Sequence, residues 1–149
     1  MKKTMIAVIL LISGGFLFAQ ERHHDVPDQV RQNFQHDYPD ARQTHWNQSN
    51  GHWHASFNDQ SPRGRGEMIA HYDQDGRHLD SHIPYDDHDV PPAIMEHLQN
   101  KYRRGHYRFE RIEAPDNTGF FRVMIRLGGR NRIVFMNEQG EERPYEDRH

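Results

Sequence analysis

Val26-Pro27-Asp28-Gln29-Val30-Arg31-Gln32-Asn33-Phe34-Gln35-His36-Asp37-Tyr38 is answered, 64 residues later, by Val90-Pro91-Pro92-Ala93-Ile94-Met95-Glu96-His97-Leu98-Gln99-Asn100-Lys101-Tyr102. In each stretch the apolar residues fall four apart, Val26, Val30, Phe34 and Tyr38 in one and Val90, Ile94, Leu98 and Tyr102 in the other. That spacing stacks side chains on one face of an α-helix. Pro27 and Pro91 suit a first helical position, where a missing N–H costs nothing. Asp25 and Asp89 just upstream favour the positive end of the helix dipole. Pro39 is expected to stop the first helix and Gly105 the second. Gly76 and Gly140 keep the same offset, so the chain reads as two copies of one unit, about residues 24–86 and 88–149.

After each helix the apolar period drops from about four to two, which is the signature of half-buried strands. The first unit is expected to carry them near Gln43–Gln48, His52–Phe57, Glu67–Tyr72 and Arg77–Ile83. The second should carry them near Tyr107–Glu113, Phe120–Leu127, Arg130–Met136 and Glu141–Tyr145. Turn signals at Asn50-Gly51, Ser61-Pro62-Arg63-Gly64 and Asp75-Gly76 separate the first set. Asn-Gly and Asp-Gly favour tight hairpins because both central residues can take positive φ. Hairpin connections imply antiparallel pairing throughout.

Ahead of the first unit, Lys2 and Lys3 precede an apolar run from Met5 to Phe18 and then Ala19, the pattern of a cleaved secretory signal over residues 1–19. The run is short of the roughly 20 apolar residues that span a bilayer. The expected mature chain, residues 20–149, is a single periplasmic or secreted domain with no membrane association once the signal is gone. It holds no cysteine, so no disulfide framework supports it. Removing Lys2 and Lys3 leaves 17 basic and 22 acidic side chains, a formal net charge of −5, which argues against a nucleic-acid partner. The charge is uneven: residues 20–86 hold 6 basic and 11 acidic groups, and residues 87–149 hold 11 of each.

The pattern Val26-Pro27 through Tyr38-Pro39, then Trp46, then Gly51-x-Trp53-x-Ala55-x-Phe57, then Tyr72-Asp-x-Asp-Gly76, resembles the PepSY-like family of secreted bacterial domains, related in fold to the β-lactamase inhibitor protein. The resemblance spans essentially the whole mature chain. It implies an α+β fold in which a tandem duplicate of a helix-plus-four-strand unit forms one curved antiparallel sheet, with two helices on one face and the other face open. The fold relation suggests protein inhibition. Arg103 in place of a proline after Tyr102, and no tryptophan matching Trp46, set the second unit's detail apart. The motif residues are core and turn positions, so they speak for the scaffold.

Function is then expected on the open sheet face. Alternation turns Trp53, Ala55 and Phe57 inward and His52, His54 and Ser56 outward; Met68, Ala70 and Tyr72 inward and Ile69 and His71 outward; Leu79, Ser81 and Ile83 inward and His78, Asp80 and His82 outward. The second unit's outward set is Phe120, Arg122, Met124 and Arg126, with Phe135 beside them. The candidate binding face is thus His52, His54, His71, His78, His82, Phe120, Arg122, Met124, Arg126 and Phe135. Nine of the 13 histidines fall between residues 20 and 86. Neutral imidazole is a good ligand for zinc or copper, and His52-x-His54 puts two rings on one side of a strand about 7 Å apart at Cα. A cluster of imidazoles would also turn cationic as pH falls through about 6.5. No nucleophile elbow, phosphate loop or cysteine nucleophile is present, so the chain is expected to be no enzyme. Two readings follow: a domain that binds a protein or peptide, in an inhibitory mode if the fold relation extends to function, or a histidine-rich, pH-responsive binder of a small ligand or metal.

Overall fold

The computed structural model describes residues 25–59 and 66–144; the expected signal segment, the Ser61-Pro62-Arg63-Gly64 turn and Tyr145 lie outside them. The element order is α1 (Asp28–Asp37), β1 (Arg42–Ser49), β2 (His52–Asn58), β3 (Glu67–Tyr72), β4 (His78–Tyr85), α2 (Pro92–Lys101), β5 (His106–Glu113), β6 (Gly119–Leu127), β7 (Arg130–Met136) and β8 (Glu142–Arg143). The strands form one eight-stranded sheet in sequence order β1 to β8, with every neighbouring pair antiparallel. No helix among the described residues is long and apolar enough to cross a membrane.

Both helices start one residue later than their prolines suggest. Pro27 and Pro91 are the residues before the helices, with ψ of 144° and 133°, and Pro92 takes the first turn of α2. A residue preceding proline is pushed toward extended backbone, which suits Pro91 to the boundary position. At the other ends the two helices close alike: the Tyr38 N–H donates to the Phe34 carbonyl and the Tyr102 N–H to that of Leu98, both at 2.8 Å. Gly105 does not end α2, which stops at Lys101; the left-handed turn beyond it is taken by Arg104 at φ 68°. Gly105 is instead required by space, since a Cβ there would sit 2.9 Å from the Tyr107 ring.

Gly76 and Gly140 have one task in common. At φ 84° and 78° they complete the turns after β3 and β7, and each turn presses on the first turn of a helix. A Cβ on Gly76 would meet the Gln29 backbone at 3.1 Å, and one on Gly140 would meet the Ala93 carbonyl oxygen at 2.5 Å. A side chain at either position would suffer both strained backbone and collision.

The core lies between the helices and one face of the sheet, in two clusters. Val30, Phe34 and Tyr38 of the α1 region pack on Trp53, Ala55, Phe57, Met68, Ala70, Tyr72 and Ile83. Ile94, Leu98 and Tyr102 pack on Phe109, Phe121, Val123, Ile125, Val134 and Met136. Each large side chain so buried stabilises the fold by about 1.5–3 kcal/mol. Tyr85 touches both clusters and pairs with Phe109 across β4 and β5, so the inner face runs unbroken from one half to the other. Both helices therefore sit on the same side of the sheet, and no helix among the described residues covers the other side.

Candidate functional site

On β2 and β3 the alternation of burial is strict: Trp53, Ala55, Phe57, Met68, Ala70 and Tyr72 are buried, and the residues between them are half-buried. His52, His54, Ser56, Ile69 and His71 therefore stand on the open face. His54 pairs with His71 across the two strands, and their ring centroids are 4.4 Å apart.

Strand β4 breaks the alternation. His71 pairs with Asp80 and Tyr72 with His78, so Leu79 is the extra residue of a β-bulge. The bulge reverses the expected direction of His78, which shares the inner face with Tyr72. Its ring stacks on Tyr72 with centroids 5.0 Å apart, meets Tyr38 edge-on at 5.9 Å, and bonds the Ser81 hydroxyl at 2.8 Å. Ser81, itself 2% exposed, also bonds the Tyr38 hydroxyl. Burial lowers the pKa of His78 despite the nearby Asp37 carboxylate. His78 therefore belongs to the packing under α1 and not to the binding face. Leu79, expected inward, is only half-buried; Ser81 and Ile83 do face in.

Asp80 and His82 follow the bulge on the open face. His71 Nδ1 lies 2.7 Å from Asp80 Oδ1, His82 Nε2 lies 3.6 Å from the same oxygen, and the His71 and His82 rings are 4.7 Å apart. The other nitrogen of His82, Nδ1, is 3.4 Å from Glu110 Oε1 on β5, and Glu110 Oε2 accepts a 2.9 Å bond from Arg122 Nη1 on β6. Burial would raise the Glu110 pKa, but the bonds and charges of His82 and Arg122 outweigh it and hold the carboxyl below its usual range. For His54, burial and then the neighbouring His71 lower the pKa. A chain of polar side chains thus crosses from β2 to β6, from His54 through His71, Asp80, His82 and Glu110 to Arg122.

His71, Asp80 and His82 each offer a ligand atom, and these atoms lie within 4.8 Å of one another. The expected pair His52 and His54 is not part of this group. Residues two apart on a strand are separated by about 7 Å at Cα, whereas directly opposite residues on paired strands have Cβ atoms about 4.5–5.5 Å apart. The tight cluster forms across strands, where only pairing register could reveal it.

The second half presents a different surface. Phe121, Val123 and Ile125 are buried, so Phe120, Arg122, Met124 and Arg126 alternate onto the open face. Phe135, opposite Arg122, packs edge-on to Phe120 at 5.8 Å, and the Arg143 guanidinium lies 5.2 Å from the Phe120 ring centre. Ile133, paired with Met124, is 45% exposed. A shallow recess of about 440 Å³ is lined in part by Pro84, Arg108, Glu110, Arg122 and Met124. Arg111, in contrast, lies on the helix side, 5.7 Å from the Phe121 ring centre and bonded to Glu113 at 3.0 Å.

No protein-family model matches the chain, and no curated protein matches it. Solved structures do. A protein of Bacteroides eggerthii named for an inferred periplasmic location superposes with a TM-score of 0.71 at 15% identity, over 78% of this chain and 85% of that one. A DUF2874 family protein of Bacteroides ovatus gives 0.69 at 16% identity, over 78% and 83% of the two chains. A BLIP-like protein of Bacteroides fragilis gives 0.68 at 17% identity, over 82% and 86%. At these identities the likeness concerns the fold, and the fold is α+β and BLIP-like: one open antiparallel sheet with two helices.

Proposed function

We propose that this chain is a non-enzymatic, extracytoplasmic binding domain that holds a protein or peptide against the second half of its open sheet face. The observation that carries the reading is the composition of that face, where Phe120, Met124, Ile133 and Phe135 lie among Arg108, Arg122, Arg126 and Arg143. Apolar side chains interspersed with guanidinium groups suit a partner surface, since aromatic residues, Met and Arg are enriched at interfaces. The cations select for a partner with acidic side chains around an apolar patch. The apolar run after Lys2 and Lys3 and the periplasmic description of one fold neighbour support a location outside the cytoplasm. The BLIP-like likeness supports a protein as the partner and suggests inhibition of an enzyme as the mode.

We further read the chain as a tandem duplication of the PepSY-like kind. Matched contacts at an offset of 64 support this: Asp73 and Asn137 N–H bond to Arg77 and Glu141 carbonyls at 3.0 and 3.1 Å, and the Gly76 and Gly140 N–H groups bond back to Asp73 and Asn137 at 3.2 and 3.0 Å.

The test is capture and cross-linking in periplasmic extract with the wild-type chain and with Met124→Glu/Ile133→Glu. Both positions are outside the two cores, and circular dichroism checks that the variant, which sets two glutamates opposite each other on β6 and β7, keeps the fold. A partner retained by the wild type and lost by the variant is the expected result; equal capture by both removes this face from the reading.

A further inference from the structure

We infer that His71, Asp80 and His82 form a binding site for a first-row divalent cation of the zinc class on the first half of the open sheet face. The inference does not depend on the protein-partner reading, because its ligands are other residues and the metal alone is the probe.

The three groups come together because the β4 bulge at Leu79 brings Asp80 opposite His71 and keeps His82 two residues on, on the same side. Their side chains are only 15%, 15% and 22% exposed, so neighbouring atoms already restrict their rotamers. Zinc at 2.0–2.1 Å from each of its ligands in a tetrahedron sets ligand atoms about 3.3 Å apart. The observed separations from Asp80, 2.7 and 3.6 Å, bracket that value, and all three ligand atoms lie within 4.8 Å of one another.

Hydrogen bonding gives a second, independent reason. His82 Nδ1 faces Glu110 Oε1, and an Nδ1–H donated there leaves Nε2 as an acceptor pointing toward Asp80 Oδ1. The Glu110 contact is also the arrangement usual behind metal-ligating histidines, in which a carboxylate takes the far N–H and orients the ring. Arg122 in turn fixes Glu110, at 2.9 Å. Two imidazoles and one carboxylate favour zinc, copper or nickel over calcium or magnesium, which prefer all-oxygen sets. With three protein ligands on an uncovered face, the fourth position is open to water or to a side chain from outside. The other group of similar make-up, Asp86, His88 and Asp89, is exposed, with the His88 and Asp89 side chains at 67% and 52%.

The experiment is calorimetric titration of the untagged, chelator-stripped chain with zinc, with cobalt(II) absorption as a coordination readout. The wild type and His88→Ala should each bind one equivalent with the same affinity at this site, and His71→Ala/His82→Ala should bind at least tenfold more weakly and lose the visible absorption of four-coordinate cobalt. Glu110→Gln should weaken zinc by roughly 10–100-fold, the range typical for loss of a residue that orients a ligand. Circular dichroism checks the fold of each variant, and Asp80→Asn replaces the double variant if that one does not fold, with the same expected loss. A wild type that takes up no zinc, or one whose affinity survives loss of the ligands, would overturn the assignment.

Discussion

The two halves of the molecule bury different chemistry and expose different chemistry on the same frame. Under α1 the packing is mainly aromatic: Phe34 meets Phe57 at 5.0 Å and Trp46 at 5.1 Å, both edge-on, and Tyr38 meets Phe57 at 4.7 Å. Under α2 aliphatic side chains dominate, with Ile94, Leu98, Val123, Ile125, Val134 and Met136 around fewer rings. Outside, the first half carries imidazoles and carboxylates and the second carries Phe, Met, Ile and Arg. The inner faces differ only in which apolar side chains fill them, and cores tolerate such differences where volume is kept. The outer faces have no helix to satisfy and differ in charge and polarity, so function is to be sought where the halves differ.

The largest effects should come from emptying either core. Phe34→Ala should destabilise by about 3–5 kcal/mol and Leu98→Ala by about 2–5 kcal/mol, read by denaturant unfolding. Because Tyr85 joins the clusters, each variant should shift one common transition. Two separate transitions would break the comparison into two independent domains.

Next come the turn glycines. Gly140→Ala should cost about 1–3 kcal/mol from backbone strain alone, and more than Gly76→Ala, because its Cβ meets a backbone carbonyl at 2.5 Å whereas the nearest atom at Gly76 is a side-chain carbon of Gln29 at 3.0 Å. Thermal denaturation of the two variants ranks them; the reverse order would show that the second turn can withdraw from its helix.

Ser81→Ala tests a feature of the first half. It takes their shared partner from the Tyr38 hydroxyl and from His78 Nε2, which keeps only its 3.1 Å contact with the Asp80 carbonyl, for an expected cost of about 1–3 kcal/mol. A neutral result in denaturant unfolding would mean that the Asp80 carbonyl is partner enough for His78.

The smallest expected effect is a pH dependence in the second half. Burial would raise the pKa of Glu142, but hydrogen bonds from Lys101, Tyr102 and His97 and the Lys101 charge outweigh it and lower it to about 2. A carboxylate with a depressed folded pKa contributes stability that is complete above its unfolded value of about 4.3 and is lost as pH falls toward 2. Glu142→Gln should therefore narrow the stability difference from wild type between pH 6 and pH 2. The effect is modest because the cluster faces solvent; identical pH profiles for the two proteins would remove the role of Glu142.

Much of the scaffold is legible in the chain. Val30, Phe34 and Tyr38 against Ile94, Leu98 and Tyr102 mark the helices, Asn50-Gly51 takes φ of 52° and 80° as a tight hairpin requires, and Trp53, Ala55 and Phe57 give the inner face of β2. Local rules suffice there, because helix period, strand period and turn chemistry act over a few residues. They fail at β4. Nothing in Arg77-His78-Leu79-Asp80 announces a bulge, so strict alternation sends His78 to the wrong face. Counting along one strand likewise suggests His52 and His54 as ligands, whereas the close group is His71, Asp80 and His82.

By itself the sequence determined the two helices, the hairpin strands and which residues of β2, β3 and β6 pack inward, since hydrophobic periodicity and turn residues specify these locally. Only the tertiary structure decided the fate of His78 and the meeting of His71, Asp80, His82, Glu110 and Arg122. Those depend on strand register and on a single extra residue at Leu79, and register is settled by how the whole inner face packs beneath α1 and α2.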